Sequence, residues 1–187
     1  MAGGLSSPTP DQLFFQAQDK YVRVVTAEGE AQAKRGGELI AEAGFKPAVM
    51  FTSVLTRAQR TGQIALEAAK LSDTPVIADW RLNERHYGGL TGLNKAETAQ
   101  KHGEDQVRIW RRSYDTPPPP LAPGGDYDFA ADPRYAGQAI PDTESLKTTL
   151  DRVEPYWDAE IAPRLKAGEE VQAPPNSAVM FVEVNYE

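Results

Sequence analysis

Arg81-Leu82-Asn83-Glu84-Arg85-His86-Tyr87-Gly88 concentrates an acid, two arginines, a histidine and a tyrosine ahead of a glycine. Arginine presents a planar fork of donors that matches phosphate and carboxylate oxygens. Glutamate can give or take a proton. Together they suit chemistry on a small phosphorylated anion. The same residues also suit a structural ion pair, with Glu84 held between Arg81 and Arg85. His86 reads either as a nucleophile or base, or as a histidine satisfied by its surroundings.

A second dense block is Arg108-Ile109-Trp110-Arg111-Arg112-Ser113-Tyr114-Asp115, followed by Pro117-Pro118-Pro119-Pro120. Neighbours on a helix point about 100° apart, so Arg111 and Arg112 reach one ligand only near a helix end. The prolines supply such an end. The alternative is a solvated charge run. Ser53-Val54-Leu55-Thr56-Arg57-Ala58 joins a strand to a helix. A helix N-terminus attracts anions, and Arg57 would add a charged fork there. Equally, Ser53 or Thr56 caps the helix and Arg57 is a surface residue. His102, between Lys101 and Gly103, reads as surface. It and His86 are the two histidines of the chain, and neither has an Arg-His-Gly or His-Gly-Asn setting.

These residues need a scaffold, and 187 residues suffice for one domain with a real core. Hydrophobic content of 40% and charged content of 25% are ordinary for a globular protein. No cysteine is present, which excludes disulfides and thiolate metal sites. The net charge of -7 argues against a duplex nucleic acid partner. Leu13-Phe14-Phe15 is too short for a signal-peptide core or a membrane span. A cytoplasmic protein without membrane contact is expected.

Apolar spacing and breakers predict strands over residues 21–25, 48–52, 75–78 and 178–186, and helices over residues 29–43 and 55–71. A third helix opens at Asn94, with Glu97 completing a capping box and Ala96, Ala99, Val107 and Trp110 on one face. Residues 117–125 must be a loop, stiff enough to wall a pocket. A last helix starts near Pro141 and carries Leu146, Leu150, Val153, Trp157 and Ile161 as its apolar face. Pro155 should kink or restart it, and Gly168 should end it. Helices alternating with strands indicate an α/β sandwich. No glycine-rich nucleotide loop is present.

Several segments resemble the cofactor-dependent phosphoglycerate mutases of the histidine phosphatase superfamily, over about residues 29–171. They are Thr52-Ser53-Val54-Leu55-Thr56-Arg57-Ala58, Trp80 through Gly88, Lys95-Ala96-Glu97-Thr98, and Arg111-Arg112-Ser113-Tyr114-Asp115 with its prolines. Ser145-Leu146-Lys147 and Pro155-Tyr156-Trp157 also fit. The resemblance implies a three-layer sandwich with a mostly parallel central sheet, incomplete at both ends, in one domain over residues 1–187. It makes Arg57 a holder of the transferred phosphoryl group and Glu84 the acid/base. Arg85, Tyr87, Lys95, Arg111 and Arg112 would bind the phosphate and carboxylate of phosphoglycerate. Asn83 matches the motif and is taken as structural. His86 also matches, at a position that is not the nucleophile.

In that family a histidine carries the phosphoryl group, a bisphosphoglycerate primes the enzyme, and no metal takes part. The reaction interconverts 3- and 2-phosphoglycerate in glycolysis and gluconeogenesis. The same motifs serve bisphosphoglycerate synthase and phosphatase activities, and subunits commonly pair. Here two segments depart. Upstream of Gly29 the chain reads Gln18-Asp19-Lys20-Tyr21-Val22-Arg23-Val24-Val25-Thr26-Ala27, without a histidine. After Val171 it reads Gln172-Ala173-Pro174-Pro175-Asn176-Ser177 in place of a strand ending in His-Gly-Asn-Ser. Residues 1–28 and 172–187 are therefore divergent, and mutase activity is expected to be absent or strongly impaired. The alternatives are a non-catalytic phosphoglycerate-binding or subunit-pairing protein, or a truncated gene product. Residues 21–25 and 178–186 are expected to fill the vacated places in the sheet.

Overall fold

The computed structural model describes residues 18–19, 22–23, 25–124, 127–129 and 132–173. Gln18–Asp19 (β1) and Val22–Arg23 (β2) pair antiparallel with each other, as a ribbon separate from the main sheet. This corrects the expectation that residues 21–25 enter that sheet. Antiparallel neighbours need only a tight turn, whereas a parallel place needs a crossover, so local pairing has the lower closure cost. The expected strand over residues 178–186 lies outside the described residues.

Ala27–Glu42 (α1) starts at Thr26, whose hydroxyl accepts from the Gly29 N–H at 3.1 Å. Glu28 and Glu30 favour its positive end. Val49–Thr52 (β3) follows and is buried throughout. Thr56–Ala68 (α2) then packs back onto α1. The contact is close at Gly37, where a Cβ would lie 2.1 Å from the Ala65 carbonyl oxygen. Val76–Ala78 (β4) pairs parallel with one side of β3.

Lys95–His102 (α3) and Glu104–Arg112 (α4) replace the single helix expected from Asn94. The break is Gly103, whose φ of 82° no helix accommodates. The Asn94 side chain caps α3 through the Ala96 and Glu97 amides, at 2.8 and 3.4 Å. Leu146–Tyr156 (α5) begins at a reciprocal Ser145–Thr148 capping box. It runs into a π-helical turn at Trp157–Ile161 and then into Ala162–Lys166 (α6). Pro163 has no N–H for the carbonyl four residues back, and the Ala162 N–H bonds the Trp157 carbonyl five back instead. Val171–Gln172 (β5), a strand with no signal in the sequence, pairs parallel with the other side of β3.

The sheet order is β4-β3-β5, all parallel, with helices between the strands, an α/β arrangement with a small sheet. Its core is Val49, Phe51, Leu82, Tyr156 and Ile161, backed by Ile77, Trp157, Leu165 and Val171. Tyr156 meets Phe51 edge-on at 6.2 Å. The expected apolar face of the last helix is corrected at its start, because Leu146 and Leu150 are about half exposed, at 45% and 50%. The π turn shifts the buried face to Tyr156 and Ile161, five residues apart, which an α-helix would not align.

A buried ion pair ties α5 to the segment after β4. Arg152 donates from Nε and Nη2 to Glu144 at 2.6 and 2.7 Å. It also donates to the backbone carbonyls of Arg81 (2.7 Å), Asn83 (3.1 Å) and Trp80 (3.4 Å). Those carbonyls belong to the short 3-10 turn Trp80–Leu82 and the residue after it, so one guanidinium caps the end of that turn. Glu144 in turn accepts from the His86 backbone N–H at 3.0 Å and donates its own N–H to the His86 carbonyl at 2.9 Å. Burial alone would raise the Glu144 pKa; His86 and Arg152 beside it outweigh burial and hold it at about 2.

Gly37→Ala should destabilise the fold by about 1–3 kcal/mol, because a backbone carbonyl must move to admit the methyl group. Gly36→Ala, with open space at its Cβ, should stabilise by about 0.5–1 kcal/mol through helix propensity. Urea melts of the two variants check both signs. Glu144 sets a pH dependence. Its folded pKa of about 2 lies below the ordinary 4.5, so its contribution is complete above the ordinary value and is lost as pH falls toward 2. The shift corresponds to roughly 3 kcal/mol. Urea midpoints should fall steeply between about pH 5 and pH 3, and Glu144→Gln should flatten that slope. An unchanged slope in the variant would contradict the assignment.

Candidate functional site

Arg57 sits in the first turn of α2, and the backbone before it decides where it points. The N-cap position is Leu55, without a side-chain cap, which corrects the expectation that Ser53 or Thr56 caps this helix. Ser53 is fully buried and reaches the Leu55 N–H only at 3.4 Å. The preceding Val54 N–H instead donates to Asn83 Oδ1 at 3.2 Å. Arg134 supports the same corner, donating to the Val54 carbonyl at 3.4 Å and to Thr56 Oγ1 at 3.3 Å. Asp132 holds Arg134 through both carboxylate oxygens. From this corner the Arg57 guanidinium reaches Glu84 in a direct Nη2–Oε2 ion pair. The Arg57 side chain is 18% exposed and that of Glu84 40%, so the pair faces outward from a buried base.

Arg81 does not join them. It grips Asp79, two residues back, at 2.8 Å and stacks on Tyr156 at 4.4 Å. The expected ion pair of Glu84 with Arg81 and Arg85 is therefore corrected: Glu84 pairs with Arg57, and Arg85 turns to the Arg111 carbonyl.

Arg85, Tyr87 and Arg111 form a second group. Arg85 is 8% exposed and donates from Nη2 to the Arg111 carbonyl at 2.9 Å. Its guanidinium carbon lies 4.6 Å from the Tyr87 ring centroid, and that of Arg111 lies 5.4 Å away. Two cations therefore share one aromatic ring. Arg85 Nη1 and Arg111 Nε are buried and have no hydrogen-bond partner. Buried donors are rarely left unmet, and these two lie on guanidiniums that share the Tyr87 ring.

Gly88 closes this group from below. Its φ is 56°, and a Cβ there would lie 2.2 Å from the Pro119 carbonyl oxygen. The Gly89 N–H donates to that same carbonyl at 2.7 Å, and Thr143 Oγ1 donates to the Pro118 carbonyl at 2.8 Å. The proline run thus packs directly against Gly88 and Gly89, with Pro118 fully buried.

Arg112 closes α4 and is exposed. It lines an open groove of ≈ 340 Å³ with Ala96, Ala99, Val107, Arg108 and Arg111. Lys95 opens α3, and its side chain lies outside the described part. His86 is buried, with Nδ1 3.0 Å from Glu144 Oε2 and its ring 5.0 Å from that of Phe129. Its ring is buried, and neither ring nitrogen makes a well-aligned hydrogen bond, so the expectation of a satisfied histidine is met in packing only. His102 is exposed and rests edge-on against Trp110 at 5.3 Å.

Sequence reasoning missed Glu144, Arg152, Tyr135 and Arg134. The Tyr135 hydroxyl accepts from Asn83 Nδ2 at 2.9 Å. Burial raises the Tyr135 pKa, so its hydroxyl stays protonated. One signal was available for Arg134. Asp79-Trp80-Arg81 and Asp132-Pro133-Arg134 share an Asp-x-Arg spacing, and each Asp caps a 3-10 turn while pairing with its own Arg.

Comparison with known proteins identifies the family and the fold. Residues 23–171 match the histidine phosphatase superfamily (branch 1). The 2,3-bisphosphoglycerate-dependent phosphoglycerate mutase of Caulobacter sp. (strain K31) is 73% identical over 147 residues, covering 79% of this chain and 62% of that protein. The protein of the same name from Zymomonas mobilis is 60% identical over 147 residues, covering 79% and 64%. The chain therefore spans a little under two thirds of the length of these relatives. Among solved structures, a mycobacterial glucosyl-3-phosphoglycerate phosphatase in complex with VO3 superposes with a TM-score of 0.56 at 19% identity, over 81% of this chain and 62% of that one. Mycobacterial hydrolase 1 gives 0.57 at 20% identity, over 80% and 60%. These structural likenesses speak to the fold. Together with the motif geometry, the match over residues 23–171 means that the chain belongs to the histidine phosphatase superfamily.

Proposed function

We propose that this chain is a phosphoglycerate mutase-like domain that binds a small phosphorylated carboxylic acid, 3- or 2-phosphoglycerate, at the surface shared by Arg57, Glu84, Arg85, Tyr87 and Arg111. The observation that carries the reading is the pair of buried, unpaired guanidinium nitrogens on Arg85 and Arg111 beside Tyr87. A neutral acceptor would meet them only weakly; an oxyanion meets both with stronger, charge-assisted bonds. High identity to 2,3-bisphosphoglycerate-dependent phosphoglycerate mutases supports this choice of anion. Lys95 and Arg112, at the start of α3 and the end of α4, complete the proposed ligand set.

In this reading Arg57 neutralises charge on the phosphoryl oxygens, and the Arg57–Glu84 pair keeps the Glu84 carboxylate oriented for proton transfer. The same donors fit 2,3-bisphosphoglycerate, which in mutases of this kind supplies the priming phosphoryl group. The covalent step has no candidate among the residues described: His86 is packed against Glu144 and Phe129, and His102 is exposed on α3. The chain is accordingly read as binding phosphoglycerate, in a cytoplasmic setting, without turnover at a mutase rate. Subunit pairing is part of the same proposal.

Two outcomes test it. In a thermal melt, 3-phosphoglycerate at about 100 times its Kd should stabilise the chain by about 2.7 kcal/mol, seen as a clear rise in Tm. Arg85→Ala or Arg111→Ala should each weaken affinity about 10- to 100-fold, the loss of a charge-assisted hydrogen bond. An unmoved Tm at high ligand would contradict the reading. In a coupled mutase assay with 3-phosphoglycerate and bisphosphoglycerate primer, the rate should lie several orders of magnitude below that of a complete mutase. A comparable rate would contradict the second half.

A further inference from the structure

The Arg57–Glu84 pair joins two segments that are far apart in sequence, and one buried side chain lies between those segments. Asn83 is fully buried and immediately precedes Glu84. Its Oδ1 accepts the Val54 N–H at 3.2 Å, three residues before Arg57. Its Nδ2 donates to the Tyr135 hydroxyl at 2.9 Å. Its backbone N–H donates to the Trp80 carbonyl at 2.9 Å, and its carbonyl accepts from Arg152 at 3.1 Å. The amide plane is thus held at both ends by groups on different segments, and the backbone it belongs to is held as well.

We propose that Asn83 is a positioning residue: its carboxamide sets the α2 corner against the Glu84 segment, and so fixes the separation and orientation of Arg57 and Glu84. The physical ground is the directionality of the amide. The Val54 N–H sits in a corner whose helix has no side-chain cap, so without Asn83 Oδ1 it has no acceptor and the corner is left to the longer Arg134 contacts at 3.3 and 3.4 Å. The Val54 N–H can only donate, so it fixes Oδ1 on its own side and turns Nδ2 to the Tyr135 hydroxyl, which anchors that end. An aspartate could still present an oxygen to Val54; an alanine could not. A mispositioning of even about 1 Å costs a bound, reacting geometry on the order of 100-fold. Asn83 touches neither ligand nor reacting atoms in this scheme and acts through Arg57 and Glu84.

The inference rests on the proposed phosphoglycerate site for its functional consequence, and the test separates the two. Wild type, Asn83→Ala, Asn83→Asp and Tyr135→Phe are titrated with 3-phosphoglycerate by calorimetry, well below each variant's Tm. Backbone amide exchange is followed in parallel at residues 54–57 and along β3. Asn83→Ala should bind about tenfold or more weakly, Asn83→Asp should recover to within about threefold of wild type, and Tyr135→Phe should fall between. Exchange at residues 54–57 should accelerate about tenfold in Asn83→Ala while β3 stays protected, since a loosened corner is a local opening. If wild type binds no phosphoglycerate, the functional reading fails and the exchange result alone decides the positioning role. Uniform acceleration at residues 54–57 and β3, or wild-type exchange and affinity in Asn83→Ala, would overturn it. Should Asn83→Ala not fold, unchanged exchange at residues 54–57 in folded Tyr135→Phe would overturn it equally.

Discussion

The Glu144–Arg152 ion pair is the constraint on which the rest of this molecule depends. Both side chains are almost fully buried, at 1% and 6% exposure. Two charges taken out of water are a net cost unless their remaining donors and acceptors are also met. Here they are met by backbone: the carbonyls of residues 80, 81 and 83 on the arginine side, and the His86 N–H on the glutamate side. The pair therefore contributes less as raw stability than as geometry. It converts a segment with little regular structure, from Trp80 to His86, into a single conformation. Leu82 drops into the core, while Glu84 meets Arg57 and Arg85 meets the Arg111 carbonyl.

The site inherits its character from that placement. Arg85 is pulled inward until one guanidinium nitrogen has lost water without gaining a partner, and Arg111 suffers the same at Nε. Tyr87 between them softens the repulsion of two like charges with its ring face. The proline run holds the backbone at Gly88 and Gly89, immediately after that tyrosine. What results is a preformed shortage of acceptors, which the proposed phosphoglycerate ligand would relieve. The net charge of -7 over the whole chain does not prevent this, since distant surface charges are screened within about 10 Å at ordinary salt.

Arg57, Glu84, Arg85 and Arg111 could be singled out as candidates because they stand in short, dense motifs whose spacing is local, and the folded chain pairs Arg57 with Glu84 and Arg85 with the Arg111 carbonyl. The strands at residues 49–52 and 76–78 were legible because a buried parallel strand is a short apolar run. Glu144 and Arg152 were not legible. Their spacing of eight residues spans a helix start, and the partners that matter are backbone carbonyls elsewhere in the chain. Leu146 and Leu150 misled, since the apolar rhythm they share with Ile161 ignores a π turn that shifts the face. Gly103 splits a helix whose apolar spacing on either side gave no warning. Asn83 was recognisable as part of a motif, but its task lies in contacts with Val54 and Tyr135, and only the folded chain brings those together.

A double-mutant cycle on Glu144→Gln and Arg152→Met, measured as unfolding free energy at neutral pH, tests the central dependence most directly. Each single change leaves a buried charge unpaired and should cost about 3–5 kcal/mol. The double variant removes both charges, so its loss should fall short of the sum by at least about 2 kcal/mol. Additive losses would mean that the two side chains act independently and that the segment from Trp80 to His86 is held by something else.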